Sequence, residues 1–260
     1  MRSLLRGLVV QAEVVHAIIL RETRTRFGAQ RLGYLWAIIE PVLVILTFYG
    51  LFRLAGRTAP AGMDVWSFVA TGLVPYRLFA SSAGRVAEAV NGNKAVLYYP
   101  QVLPLDLAIA RGVLEAATFA AVFALLMGGH ALWSGSFAVD SMLVTLAGLG
   151  LAALLGATLG LVFCALGQIW PTVDRARGPL LRPLFWVSGV FFTAAALPDH
   201  VRRIFSWNPV FHTVELVRAG WFEGYGAEHA DPVYALRWIL GLALAGLLLE
   251  RRVRRRIELT

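Results

Sequence analysis

The sequence predicts an all-α integral membrane protein with six membrane-spanning helices. Of its 260 residues, 58% are apolar and only 15% are charged, and its mean hydropathy is +0.67. A soluble domain carries about a quarter charged residues, so this apolar surplus requires lipid to cover it. The apolar residues fall into runs of the length that a bilayer core needs, with basic residues between them. One membrane domain, residues 1–260, accounts for the whole chain.

Residues 1–33 are predicted to form a cytoplasmic interface helix. Val10, Val14, Val15, Ile18 and Ile19 recur at helical spacing, and arginines lie beside them. An apolar face next to basic side chains is typical of a helix that lies on the membrane surface. The alternative is a short soluble helix that packs on the bundle.

Residues 34–250 are predicted to form the six-helix bundle, and residues 251–260 a basic cytoplasmic tail. The predicted spans are residues 35–55, 65–86, 105–133, 142–169, 184–197 and 233–249. The fourth span contains four glycines, which offer small surfaces for close helix contact in lipid: Gly148, Gly150, Gly156 and Gly160.

Three segments are too polar or too rich in proline to cross lipid. Residues 91–104 and 171–177 are predicted to be short cytoplasmic breaks, which either dock a motor protein or simply turn the chain. Residues 198–226 are predicted to form short helices that dip into the outer interface before the last span.

The basic residues predict the orientation of the bundle. If the N-terminus is cytoplasmic, six spans return the C-terminus to the same side. That side then holds most of the basic side chains: Arg21, Arg24, Arg26, Arg31, Lys94, Arg175, Arg177, Arg251, Arg252, Arg254, Arg255 and Arg256. The opposite side holds Arg57, Arg202, Arg203 and Arg218, and the positive-inside rule favours this arrangement. Four histidines near the outer face are interpreted as solvated or interfacial: His130, His200, His212 and His229.

The sequence contains no motif for nucleotide binding or enzyme chemistry. The only lysine, Lys94, stands in NGNKAV, which is not the phosphate-binding pattern GxxxxGK[ST]. No HExxH, CxxC or GxSxG pattern occurs, and the lone Cys164 excludes a disulfide framework. We therefore predict no catalytic residue, no metal site and no cofactor in this chain. Because the basic residues lie in separate loops, we predict no binding of nucleic acid.

Two charged side chains fall inside predicted spans. Glu40, next to Pro41, lies in the first span, and Arg77 lies in the second. A charge inside a span costs about 2.5–3.5 kcal/mol on insertion scales, so Glu40 needs a partner, and Arg77 and Arg31 are the candidates. Two interpretations of these charges are possible: they form a charged gate, or they form a structural ion pair.

Aromatic side chains are candidates for the lining of a passage, because aromatic faces suit the C–H faces of sugar rings. The candidates, together with Arg77, are Trp66, Tyr76, Phe79, Phe191 and Phe192. The alternative is that they form interfacial belts and ordinary packing contacts.

Two segments resemble a known family. Residues 24–43, RTRFGAQRLGYLWAIIEPVL, resemble the pattern R-x-x-x-R-F-x-x-x-x-L-G-x-L-W-x-x-x-x-P of ABC-2 type exporter permeases, most closely their capsular polysaccharide branch. Residues 207–225, WNPVFHTVELVRAGWFEGY, resemble the family's NP-x-x-x-x-x-E-x-x-R segment, and PLD precedes the third span. The similarity covers nearly the whole chain.

The resemblance implies a homodimer of six-helix subunits with re-entrant helices on the outer side, paired with two copies of a separate ATPase that binds ATP and Mg. It implies a bacterial inner-membrane location, a lipid-linked polysaccharide substrate, membrane-lipid contacts, a periplasmic co-polymerase and an outer-membrane exporter. The family's coupling elements fall on Asn91, Asn93, Lys94, Tyr98, Tyr99, Pro100, Thr172, Asp174 and Arg175. The substrate entrance or gate falls near Arg21, Arg24, Arg26, Arg31, Trp36 and Glu40.

The sequence thus predicts the membrane subunit of an ATP-driven polysaccharide exporter. The same fold could instead export O-antigen, teichoic acid, a drug or a lipid. Two other classes are an intramembrane lipid-modifying enzyme, which would need clustered acidic residues, and a passive channel.

Overall fold

The computed structural model describes residues 2–28, 33–56, 59–135 and 139–257, and these form helices, turns and loops without a strand. The predicted all-α class is therefore confirmed. The α-helices are α1 (Arg2–Gly28), α2 (Gly33–Leu54), α3 (Val65–Ala87), α4 (Pro104–Ser134), α5 (Met142–Ile169), α6 (Thr172–Val187), α7 (Asp199–Phe205), α8 (Pro209–Trp221) and α9 (Pro232–Ile257). Short 3₁₀ helices cover Pro60–Gly62, Asn91–Tyr98 and Ala194–Ala196.

Helix α5 lies at the centre of the bundle, against α3, α8 and α9. A Cβ atom on Gly156 would lie 2.3 Å from the Phe79 carbonyl oxygen, and one on Gly160 would lie 2.7 Å from the Ala83 carbonyl oxygen. These glycines allow α3 to approach the backbone of α5, and Gly148 does the same for α8. The prediction of close contact is wrong for Gly150, which faces open space.

Three helices of the described part are long and apolar enough to cross a bilayer. They are α4, α5 and residues Pro232–Val253 of α9. The predicted spans 35–55 and 65–86 coincide with α2 and α3, so the apolar runs correctly located these helices. Helix α9 continues to Ile257, which makes the first part of the basic tail helical.

The prediction of a fifth span at residues 184–197 is wrong. Helix α6 instead covers Thr172–Val187, so most of the predicted break at 171–177 belongs to the start of this helix. Gly189 has φ +76°, a left-handed conformation that ends the helix, and the backbone then leaves in a loop. Apolar composition could not reveal this turn, because the loop is held by side chains from α8.

The prediction of short helices within residues 198–226 is confirmed, and α8 is buried within the bundle. Every residue from Val210 to Trp221 is buried, because α8 packs between α3 and α5. Asn208 Oδ1 accepts a hydrogen bond from the Val210 N–H at 3.0 Å and caps the helix. The interpretation of His212 as solvated or interfacial is therefore wrong, because His212 is buried, and Arg218, which was assigned to the outer side, is buried as well.

Helix α1 packs one apolar face on the bundle. Ile18 is buried, and Val14, Val15 and Ile19 lie against a cluster that includes Leu107 of α4. This contact supports the packed-helix alternative for that face. Val9 and Val10, in contrast, are exposed, so a second apolar surface remains for lipid.

The two ends of the bundle are named by their helices. The α1 end holds α1, residues 88–104, the start of α6 and the end of α9. The α8 end holds residues 59–64 and 188–231.

Candidate functional site

The two predicted coupling segments meet at the α1 end. Asn91 Nδ2 donates to Asp174 Oδ2 at 3.4 Å, and Gln168 Nε2 donates to Asn91 Oδ1 at 3.1 Å. Nearby, Arg177 Nη2 lies 2.5 Å from Glu88 Oε1, so an ion pair joins α6 to the residue that follows α3. Residues far apart in sequence thus form one continuous surface.

This surface presents aromatic and basic side chains to the outside. The Tyr98 side chain is 89% exposed, and Tyr99, Lys94 and Pro100 are exposed beside it. Thr172 and Arg175 on α6 are also exposed, and Asp174 is half-buried. Asn93 is buried and faces inward, so it supports the surface instead of forming part of it.

A polar network behind this surface ties α1 to α4. Glu22 Oε1 accepts from Asn93 Nδ2 at 2.6 Å and from Arg111 Nε at 3.0 Å. Arg21 Nη1 donates to Asn93 Oδ1 at 3.1 Å, and Arg111 Nη1 donates to the Arg85 carbonyl at 3.0 Å. We call Glu22, Asn93 and Arg111 the α1 network. Sequence reasoning missed Glu22 and Arg111, because nothing local links two positions so far apart.

The PLD segment has a structural explanation in the same region. Asp106 Oδ2 accepts from the Leu103 N–H at 2.9 Å, which satisfies a backbone donor at the start of α4. Its other oxygen, Oδ1, accepts from Gln11 Nε2 of α1 at 2.5 Å. Asp106 therefore caps α4 and also holds α1.

The residues of the predicted substrate entrance are only partly described. Arg21 and Arg24 are exposed on α1, and Glu40 lies on α2. Arg31 lies outside the described residues, as do the side chains of Arg26 and Trp36. Glu40 Oε1 lies 2.6 Å from Arg77 Nη1, which confirms Arg77 as its partner.

The aromatic lining candidates divide between two regions. Tyr76 donates to the Leu181 carbonyl at 3.1 Å, and its ring contacts Phe185, which also contacts Phe191. Phe79 is buried in the core. At the α8 end, Trp66 stacks on His130 at 5.9 Å between ring centroids. Phe192 contacts Phe205 and Phe211 there, so these rings join helices within one chain.

A second polar network lies at the α8 end and explains the NP-x-x-x-x-x-E-x-x-R segment. Arg218 Nη1 lies 3.2 Å from Glu215 Oε1, and both side chains are buried. Arg218 also donates to the Phe192 carbonyl at 2.7 Å and to the Val190 carbonyl at 3.0 Å. Glu215 and Arg218 stand three positions apart on α8, so the pair fastens the loop after α6 onto that helix.

Tyr225 completes this network, which we call the α8 network: Glu215, Arg218 and Tyr225. The Tyr225 hydroxyl donates to Glu215 Oε2 at 2.5 Å. Burial, together with the Glu215 carboxylate, raises the pKa of the Tyr225 phenol. Sequence reasoning missed these residues as a unit, although the E-x-x-R spacing was the signal that could have found them.

The described residues contain no group of three or more His, Cys, Asp or Glu side chains that could hold a metal ion. The polar groups instead lie in ion pairs and hydrogen bonds between helices. Their chemistry suits the positioning of helices and the recognition of charged groups.

Comparison with known proteins gives a consistent set of relatives. Residues 13–222 match the family model of the ABC-2 type transporter. Polysialic acid transport protein KpsM of Escherichia coli is 35% identical over 94% of this chain and 95% of its own length. Capsule polysaccharide export inner-membrane protein CtrC of Neisseria meningitidis is 30% identical over 98% and 97%. Capsule polysaccharide export inner-membrane protein BexB of Haemophilus influenzae is 27% identical over 97% and 95%. The chain therefore belongs to the ABC-2 type transporter family.

Proposed function

We propose that the chain is the membrane permease subunit of an ATP-driven exporter that moves a lipid-linked capsular polysaccharide across the bacterial inner membrane. The observation that carries this proposal is the nearly full-length similarity to relatives whose names specify capsule polysaccharide export and polysialic acid transport. A named O-antigen export permease of Klebsiella pneumoniae is 22% identical over 73% of the chain, so O-antigen export is less well supported.

The proposed topology has six spans and cytoplasmic termini. The spans are α2, α3, α4, α5, α6 and α9, and the α1 end is the cytoplasmic end. This orientation places Lys94, Arg175 and the arginines that follow Glu250 in the cytoplasm, as the positive-inside rule favours. The segment with α7 and α8 then enters the outer part of the membrane without crossing it.

The proposed partners are those that the family resemblance implies, and the orientation places the ATPase at the α1 end. The permease acts as a homodimer with two copies of a separate ATPase, which bind ATP and Mg, since this chain has no P-loop motif. Tyr98, Tyr99, Lys94 and Arg175 form the surface that receives the ATPase. A periplasmic co-polymerase and an outer-membrane exporter would carry the polymer onward.

An enzymatic role is less well supported by the geometry. The three acidic side chains that such an enzyme would have to use are each engaged with different partners: Glu40 with Arg77, Asp106 with Gln11, and Glu115 with Ser81. They do not form a pair of carboxylates that could share acid–base work on one substrate.

The docking surface is tested by the double variant Tyr98→Ala/Tyr99→Ala. Tyrosine is enriched among the few interface residues whose truncation costs about 2 kcal/mol or more, so we expect co-purification of the partner ATPase to fall by at least about tenfold. Export of the polysaccharide should fall in parallel. The measurement is the amount of tagged ATPase that is recovered with the permease.

The matched control is Trp133→Ala, which removes an equally exposed aromatic side chain from the other end of α4. This variant should retain the ATPase. Equal recovery of the ATPase with both variants would contradict the proposed docking surface, and export that persists without any ATPase would contradict the proposed function.

A further inference from the structure

A charged cleft lies between α2, α3 and α4. On α3, Arg77, Ser81 and Arg85 are four positions apart and therefore share one helix face. The cleft has a volume of about 340 Å³, and Glu40 of α2 and Thr118 of α4 also line it. We call it the α3 cleft. Its polar residues form a continuous stripe along α3 within an otherwise apolar bundle.

A buried carboxylate, Glu115, lies behind the α3 cleft and contacts two residues that line it. Glu115 accepts a hydrogen bond from Ser81 Oγ at 2.6 Å, and its Oε1 lies 3.8 Å from Arg85 Nε. At 3.8 Å the contact with Arg85 is a loose ion pair and not a direct hydrogen bond. The Arg85 side chain is half exposed and lines the cleft, so its guanidinium can reach a further acceptor there.

The outer side of the cleft carries the Glu40–Arg77 pair. The Glu40 side chain is 63% exposed and the Arg77 side chain 33% exposed, although both belong to helices that we assign to the membrane. In the described part of the chain, Arg77 forms its hydrogen bond through Nη1, and a guanidinium has five N–H donors. Charges at this depth are stable when they pair with each other, face water or contact a polar ligand, and the exposed parts of these two side chains leave room for water or a ligand.

Apolar surface adjoins the charges. Leu43 lies three positions after Glu40 on α2, on the same side of the helix, and is exposed. A ligand that places an anionic group in the cleft can therefore lay an apolar chain against α2. Arginine favours planar, paired hydrogen bonds with phosphate, which two arginines on one helix face can supply.

We propose that the α3 cleft binds a phosphate group through Arg77 and Arg85, and that Glu40 competes with this phosphate for Arg77. When phosphate binds, Glu40 is displaced and α2 loses its ion pair with α3. Glu40 thereby couples occupancy of the cleft to the position of α2. The membrane depth of the cleft rests on the proposed function, whereas binding of phosphate can be measured on the permease alone.

The test uses permease purified in neutral detergent and native mass spectrometry. The probes are phosphatidylglycerol, which carries a net negative phosphodiester, and phosphatidylcholine, whose net charge is zero. We expect Arg77→Gln to weaken phosphatidylglycerol binding about tenfold, equivalent to about 1.4 kcal/mol. Glu40→Gln should strengthen it about threefold or more, because the competing carboxylate is gone. Opposite shifts from the two members of one ion pair are the signature of competition.

A purely structural ion pair would behave differently. Both substitutions would then lower the melting temperature similarly and leave lipid binding unchanged, and this result would overturn the proposal. Arg202→Gln is the matched control, because it breaks an exposed Arg–Asp pair elsewhere in the chain and should not change binding. If Arg77→Gln fails to fold, Glu40→Gln alone decides: unchanged or weaker binding of phosphatidylglycerol rejects the proposal.

Competition with inorganic phosphate shows whether the bound phosphate group belongs to a lipid headgroup or is a free ion. Displacement of phosphatidylglycerol only by a large excess of inorganic phosphate supports a lipid headgroup as the ligand. Displacement at equal concentrations supports a free phosphate ion in the same cleft. The binding experiment contains no ATPase, so a failure to bind phosphate leaves the exporter proposal intact. A failure of the exporter proposal, in turn, does not change the measured binding of phosphate.

Discussion

The α8 network and the α1 network each contain an ion pair between one glutamate and one arginine, but the surroundings of the two pairs differ. Glu215 and Arg218 are 2% and 0% exposed, and they stand three positions apart on one helix. Glu22 and Arg111 are each 14% exposed. They are 89 positions apart in the sequence and join α1 to α4. The first network fixes a loop to its neighbouring helix, whereas the second connects separate elements.

The difference in burial between the two ion pairs suggests how one chain can combine a rigid end with a movable end. A fully buried charge is costly to leave unpaired, so the α8 network fixes a single arrangement of the loop after α6. A pair near water loses much less when it separates. The α1 network therefore suits a site where α1, the 3₁₀ helix Asn91–Tyr98 and α4 shift relative to one another during transport.

The largest expected effect comes from Arg218→Met in the α8 network. Removing one partner of a buried ion pair leaves the Glu215 carboxylate without its cation, and such changes cost about 3–5 kcal/mol. The Phe192 and Val190 carbonyls would also lose their donor. We expect a large drop in the melting temperature, measured by thermal unfolding in detergent.

A double variant separates the charge effect from lost packing. Glu215→Gln/Arg218→Met removes both charges and should be more stable than Arg218→Met alone, because no unpaired carboxylate remains. A double variant that is less stable than wild type by the full sum of the two single-variant effects would mean that the two side chains act independently.

A smaller effect is expected from Tyr225→Phe, which removes one hydrogen bond to the Glu215 carboxylate. A hydrogen bond to a charged group contributes about 1.5–3 kcal/mol, so the loss should lie near the lower value. The raised pKa of Tyr225 means that folding favours the neutral phenol. Its contribution is then complete below about pH 10 and declines as the pH rises further.

The measurement is the free energy of unfolding of both proteins at several pH values. The difference between wild type and Tyr225→Phe should be constant at neutral pH and should shrink above about pH 10. A difference that grows with pH would show that the pKa of Tyr225 is lowered in the folded protein, contrary to the structure.

The sequence predicted those features that local pattern controls. Long apolar runs located α2, α3, α4 and α5, and the scarcity of charges inside spans made Arg77 one of two candidate partners of Glu40, which the structure then selected. The end of α6 was missed because its cause is distant: the loop backbone is held by Arg218, about thirty positions later. Asn93 was predicted as a coupling residue, but its burial depends on a glutamate from α1, which no local pattern indicates.

The smallest effect on stability, and the most informative for transport, is expected from Glu22→Gln in the α1 network. The glutamine keeps an amide oxygen that can still accept hydrogen bonds from Arg111 and Asn93, so the substitution should cost about 1 kcal/mol. If α1 communicates with the 3₁₀ helix Asn91–Tyr98 through Glu22, export should fall about fivefold at an unchanged rate of ATP hydrolysis, which corresponds to about 1 kcal/mol of coupling. The two rates are measured on the same permease–ATPase preparation.

Glu13→Gln is the matched control, since it neutralises an exposed glutamate on the same helix. It should change neither rate. Two results would show that the α1 network has no part in coupling: equal export by the two variants, or a parallel loss of hydrolysis and export with Glu22→Gln. The first would leave Glu22 as a minor packing contact, and the second would indicate that the ATPase had lost its docking surface. Only export that falls while hydrolysis continues distinguishes the movable network at the α1 end from the fixed one at the α8 end.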